Sequence, residues 1–147
     1  MDKELIEKLT SKDNQSACDF TGVILTESYE SDKWYNHFDD FVSLLNHPSS
    51  FVRNRIIYIL AANSKWDIEN KFEKIIDEYL SHVTDEKPIT ARQCVKALGE
   101  IGKYKPNLIS KIVNKLDTSD LSKYRDSMRP LIQKDIEETK NKLLSFK

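Results

Sequence analysis

Histidine, cysteine and paired carboxylates are the residues of this 147-residue chain whose types could do chemistry, and their spacing denies it. His37, His47 and His82 are scattered. They lack the i, i+4 or Cys-paired arrangement that lets imidazoles close on one metal ion. Asp39/Asp40 and Glu137/Glu138 are adjacent carboxylates, but neighbours on a helix point to different faces and cannot act as an acid–base pair. Arg92 lies two residues before Cys94 and would lower the thiol pKa if that thiol were exposed. The apolar slot of Cys94 predicts burial instead. "GEIG", Gly99 to Gly102, is no phosphate loop, because no strand precedes it and no Gly-Lys-Ser follows. No serine stands in a nucleophile context. The expectation is a non-catalytic protein with no catalytic residue, no metal and no cofactor.

The surrounding chain is built for helices. Three Gly and four Pro are too few breakers for a turn-rich β fold of this length. The composition, 39% hydrophobic and 32% charged, supports one folded domain over residues 1–147 rather than disorder. The longest apolar runs, such as Ile56 to Ala62, are too short to span a bilayer. The acidic start "MDKELIEKLTSKD" lacks a basic segment followed by an apolar one, so no signal peptide is read. Two cysteines make no disulfide framework, and a cytoplasmic location with no membrane partner is expected. Charge is unevenly spread. Residues 1–50 carry a balance of −6, residues 51–100 are neutral and residues 101–147 carry +5. Such polarity is either drift in solvated faces or an end that recruits an oppositely charged partner or a second copy.

A repeat runs through the chain. In "PITARQCVKALGEIG", Thr90, Ala91, Cys94, Ala97, Leu98 and Gly99 define slots at −1, 0, +3, +6, +7 and +8. The same slots recur from Val52 with Arg53 at zero, from Tyr124 with Arg125 at zero, and more faintly from Ser16 with Ala17 at zero. Zero slots at 17, 53, 91 and 125 are spaced by 36, 38 and 34, a period that marks stacked repeats. Ahead of each lies a second amphipathic run: Leu5/Ile6/Leu9, Phe38/Phe41/Leu44/Leu45, Phe72 to Val83, and Leu108 to Leu116. Each has the spacing of a helix with one buried face. Four helix pairs follow, at about 2–29, 32–66, 67–104 and 106–146. Ser64 and Asp67 predict a capping box before the third pair. Gly102 predicts a helix C-terminus. Pro130 falls inside the last helix and predicts a kink.

"HPSSFVRNRIIYILAAN" and "DEKPITARQCVKALGEIG" resemble HEAT repeats. Asp85, Pro88, Cys94, Ala97, Leu98, Gly99 and Gly102 match the family pattern. Its Arg slot is filled by Arg53 and Arg125 but holds Ala91 in the third repeat, with Arg92 one place late. The resemblance is weak in residues 1–30. It implies an all-α fold, a right-handed α-α superhelix of about four helix pairs whose second helices line a concave face. It also implies, loosely, protein binding.

Slots +1, +5, +8, +9 and +12 lie opposite the buried face of each second helix. They place Asn54, Tyr58, Ala61 and Lys65, then Arg92, Lys96, Gly99 and Lys103, then Asp126, Gln133, Lys134 and Glu137, on the concave side. The strip is either ordinary solvated helix surface or a groove for an acidic or phosphorylated protein segment. In the second case Tyr58, Arg92, Lys96 and Lys103 are the binding residues. Trp66 is either a turn-packing aromatic or a partner anchor. A protein scaffold or adaptor is the expected function. The alternative is nucleic-acid binding like that of the HEAT-like DNA alkylation repair glycosylases, with the same five residues facing the backbone. The acidic first third and near-neutral net charge weigh against it.

Overall fold

Eight α-helices and no strand account for the regular structure of the computed structural model, which describes residues 1–147. They are α1 (Lys3–Leu9), α2 (Asn14–Glu30), α3 (Phe38–Val42), α4 (Ser50–Ala62), α5 (Lys71–Leu80), α6 (Pro88–Tyr104), α7 (Ile109–Thr118) and α8 (Arg129–Leu144). Short 3₁₀ turns at Lys33–His37, Ser64–Trp66, Ser81–Thr84 and Pro106–Leu108 join or extend them. The chain is all-α.

Local chemistry sets the helix starts. The Asp2 and Asp13 carboxylates accept from the amides of Leu5 and Ser16, which satisfies first-turn donors of α1 and α2. Pro88 opens α6, where its missing N–H costs nothing. Short and long helices then pair. α1 lies on α2, α3 on α4, the turn after α5 on α6, and α7 on α8. The long members also pack in sequence, α2 on α4, α4 on α6 and α6 on α8. A single core cluster runs from Leu5 to Leu143, with Phe38, Phe41, Phe72 and Tyr79 fully buried.

Polar bolts cross between successive pairs at recurring separations. Tyr35 to Asp67, Asn46 to Glu78 and Arg53 to Asp85 are each 32 residues apart. Asn107 to Glu73 spans 34, Asn63 to Ser28 spans 35, and Thr90 to Asn54 spans 36. Two of these bolts are buried charge centres. Asp85 accepts from Arg53 Nε and Nη2 at 3.1 and 2.9 Å, from the Lys87 amide at 2.9 Å, and stands 2.8 Å from His82 Nδ1. Burial raises its carboxyl, but the bonds from His82, Arg53 and Lys87 outweigh that and hold it well below the usual carboxylate range. Asp67 accepts from the Tyr35 hydroxyl at 2.5 Å and lies 3.2 Å from Lys105 Nζ.

The structure redraws four local expectations. The run Phe38 to Leu45 is not one helix. α3 stops at Val42, and the aromatic residues before it wind as a 3₁₀ turn that buries Tyr35 beside Phe38. Asp67 alone caps α5, taking the Lys71 and Phe72 amides at 2.8 and 3.0 Å, while Ser64 Oγ donates back to the Ala61 carbonyl. Gly102 ends nothing, since α6 continues to Tyr104. A Cβ there would lie 2.2 Å from Leu143 Cδ2, so close helix packing is its role. Pro130 makes no kink. α8 begins at Arg129, so the ring falls in the first turn, where it is tolerated. Tyr124, Arg125 and Met128 therefore lie outside the helix. Tyr124 is buried, its hydroxyl donating to the Asp85 carbonyl oxygen.

Candidate functional site

The exposed sides of α2, α4, α6 and α8 meet in one open groove of about 460 Å³. Tyr29 comes from the end of α2, Tyr58 from the second half of α4, the α6 lining from Lys96 at its middle to Tyr104 at its end, and Lys142 from the end of α8, with Phe146 just beyond. Ala97 and Gly99 form a floor low enough to make the depression. The stem of Lys142 lies across it. A Cβ on Gly99 would stand 3.0 Å from Lys142 Cδ. The three tyrosines are exposed at 56% (Tyr29), 37% (Tyr58) and 39% (Tyr104), so their rings are available rather than spent in the core.

Charge in the groove is mostly positive. Lys96, Lys103 and Lys142 line it, against the single carboxylate of Glu100. Glu100 is partly buried. Burial raises its carboxyl, while Lys65, Lys142 and Lys103 pull the other way. Neither Lys103 nor Lys142 stands in an ion pair, and the Lys103 ammonium sits 5.3 Å above the Tyr104 ring. Lys65 is differently employed. Its Nζ donates to the Tyr29 carbonyl at 2.6 Å, satisfying an acceptor at the C-terminal end of α2.

Of the residues singled out in the sequence, Tyr58, Lys96 and Lys103 come together here. Arg92 does not line the groove. Its guanidinium meets the Asp135 carboxylate through Nε at 2.7 Å and Nη2 at 3.3 Å, and Asp135 is buried. Arg92 therefore fastens α6 to α8. Trp66 packs under the end of α2, its Nε1 donating to the Ser28 carbonyl at 2.7 Å with Lys65 above its ring. Ala61, placed on the outward face by periodicity, is 1% exposed, because α4 is covered on both sides by α2 and α6. Asp126 belongs to the turn before α8 and not to a helix face.

Tyr29, Glu100, Tyr104, Lys142 and Phe146 were not singled out. Glu100 occupies slot +9, already on the outward face. Tyr29 fills slot +12 of the faint first repeat, an outward slot that was followed only in the other three repeats, and Tyr104 lies at +13, just past the pattern. One aromatic near the end of each long helix is the signal that finds them.

Elsewhere, polar and reactive groups are used structurally. The Cys94 thiol is fully buried against the Tyr79 carbonyl at 3.5 Å, and burial pushes its pKa far up. His82 is buried between Asp85 and Asn46. No three His, Cys, Asp or Glu side chains stand together as a metal site, and no helix is long and apolar enough to cross a membrane. No family model, curated protein or solved structure matches the chain.

Proposed function

We propose that this protein is a non-catalytic interaction module, a right-handed stack of four HEAT-like helix pairs that holds an acidic segment of another protein in its groove. The observation that carries the reading is the groove itself, with aromatic rings from successive long helices around a small-residue floor, rimmed by Lys103 and Lys142, which stand in no ion pair, and by Lys96, which is 3.9 Å from Asp135. Rings cover apolar stems, and free ammonium groups meet carboxylate or phosphate. The HEAT-like part is supported by helices that pair in sequence and by polar bolts recurring every 32 to 36 residues, close to the repeat period in the sequence. Repeats of about 2–29, 32–66, 67–104 and 106–146 fit this pairing. Two unpaired cysteines suit a reducing compartment such as the cytoplasm.

Nucleic acid fits the groove less well. Glu100 stands among the lysines, and Arg92 is committed to Asp135, so the cations gather at one end and form no continuous stripe along the stack.

Fluorescence anisotropy tests the choice. A short labelled peptide of Glu and Leu is titrated with the protein beside a Lys/Leu control and a single-stranded oligonucleotide. The acidic peptide should bind, weaken as salt rises, and weaken about tenfold with Lys103→Glu/Lys142→Glu. Tighter binding of the oligonucleotide than of the peptide, or no effect of the double substitution, overturns the reading.

A further inference from the structure

The groove continues beyond its lysines. Toward the N-terminal ends of the long helices a second depression of about 330 Å³ opens, lined by Cys18, Gly22 and Leu25 of α2, Phe51 and Asn54 of α4, and Gln93 of α6. Tyr58 lines both depressions, so the two join across its ring. Along α2 the lining runs from Asn14 to Tyr29, about 22 Å at the helical rise. α4 packs between α2 and α6, and the two depressions run along these helices, with α2 on one side, Tyr58 of α4 between them, and Ala97 and Gly99 of α6 flooring the lysine end.

The two halves differ in charge. The half near the helix C-termini carries Lys96, Lys103 and Lys142. The other half has one charged lining residue, Arg55, and its guanidinium is buried and tied to the Leu9 carbonyl and the Asn14 side chain. The rest of its lining is neutral. Gly22 keeps the α2 wall flat, since a Cβ there would meet nothing within 4 Å. Gln93 also lines this half, and its Oε1 is buried without a hydrogen-bond partner.

Resting on the reading of the groove as an acidic-segment site, we infer that the occupant is an amphipathic α-helix of about four turns lying antiparallel to α4. Its first two turns carry Asp and Glu over the lysines, and its last two lay an apolar face over Leu25, Phe51 and the α2 wall at Gly22. Three arguments select this occupant. The walls are helices whose backbone groups are already bonded to each other, so an extended segment would find no ladder for its own N–H and C=O groups. A helix satisfies its own. The channel length matches about fifteen helical residues. An antiparallel helix also sets its positive N-terminal end, with its acidic residues, beside the negative C-terminal ends of α2, α4 and α6 and their lysines.

A displayed random-peptide library of helix-forming length, selected on the whole protein, tests this. Enriched sequences should be acidic in the first two turns, apolar at i, i+3/i+4 and i+7 in the last two, and poor in proline. They should bind about tenfold more weakly to Lys103→Glu/Lys142→Glu and, separately, to Gly22→Arg, which charges the neutral half at a position where a Cβ has nothing within 4 Å. Circular dichroism verifies that both variants are folded. Acidic sequences with proline at their centre, strict alternation, or the acidic turns last would overturn the helix while leaving the acidic-segment reading intact. Sequences indifferent to Lys103→Glu/Lys142→Glu would overturn both.

Discussion

Arg53 with Asp85, and Lys103 with Tyr104, are both cation-bearing sites on neighbouring long helices, yet they serve opposite ends. At the first, every charge is spent. The guanidinium and carboxylate are nearly fully buried, and Asp85 is further held by His82 and the Lys87 amide. At the second, the ammonium is exposed, has no carboxylate partner and lies beside an aromatic ring open to solvent. A buried charge without its partner is costly, so the first site is a bolt that the fold requires. An exposed unpaired charge costs the fold almost nothing, so the second is free to be used by something else. Saturation, and not residue type, separates the two.

The largest effect should come from breaking the bolt. Asp85→Ala strands the buried Arg53 guanidinium and removes the acceptor of the Lys87 amide just before α6, and should cost about 3–5 kcal/mol in chemical denaturation. The same site sets the acid limit. Asp85 and Asp67 both have depressed carboxyl pKa values. Their contribution is whole above the unfolded carboxyl value of about 4, and is lost as pH falls through the lower folded values. Thermal midpoints should hold down to about pH 5 and drop below about pH 4, with a shallower drop for Asp85→Asn. A midpoint that falls as steeply in Asp85→Asn as in the parent would remove Asp85 from the account.

Next in size are two contacts between α6 and α8. Arg92→Ala leaves the buried Asp135 carboxylate without its guanidinium and should cost about 1–3 kcal/mol. Gly102→Ala drives a methyl into Leu143 and should cost about the same. Gly22→Ala faces open space inside α2 and should gain about 0.5–1 kcal/mol. Equal stabilities for the two glycine variants, by urea titration, would contradict the packing described for α6 against α8.

How much of this was readable in the sequence depends on the distance of the partner. Tyr58, Lys96 and Lys103 could be placed together because helical period and repeat register fix them, and both are local. Arg92 sits on the same outward face by period, but its fate depends on Asp135, 43 residues on. Nothing near Arg92 announces that partner. Pro130 was placed inside a helix, and a kink expected there, for the same reason. Slot matching carried the helix back to Tyr124, whereas a contact from Tyr124 to Asp85 anchors that stretch outside α8. Gly102 lies two residues from the end of α6 and reads as a terminator, until the Leu143 side chain is seen against it. The all-helical class and the burial of Cys94 needed only composition and period, and both were readable.

Lys103→Glu/Lys142→Glu should change stability far less than the loss of the Asp85 bolt, and it bears most directly on the division between bolt and groove. The measurement is a titration of the labelled Glu/Leu peptide into the parent and the double variant, with thermal unfolding recorded on the same samples. The unfolding free energy should fall by no more than about 1–2 kcal/mol, since neither lysine is ion-paired and the loss is confined to their attraction to Glu100 and to the helix C-terminal ends. The peptide affinity should fall about tenfold or more. Loss of stability with affinity retained would contradict the account, because these lysines would then be bolts and the groove would hold nothing.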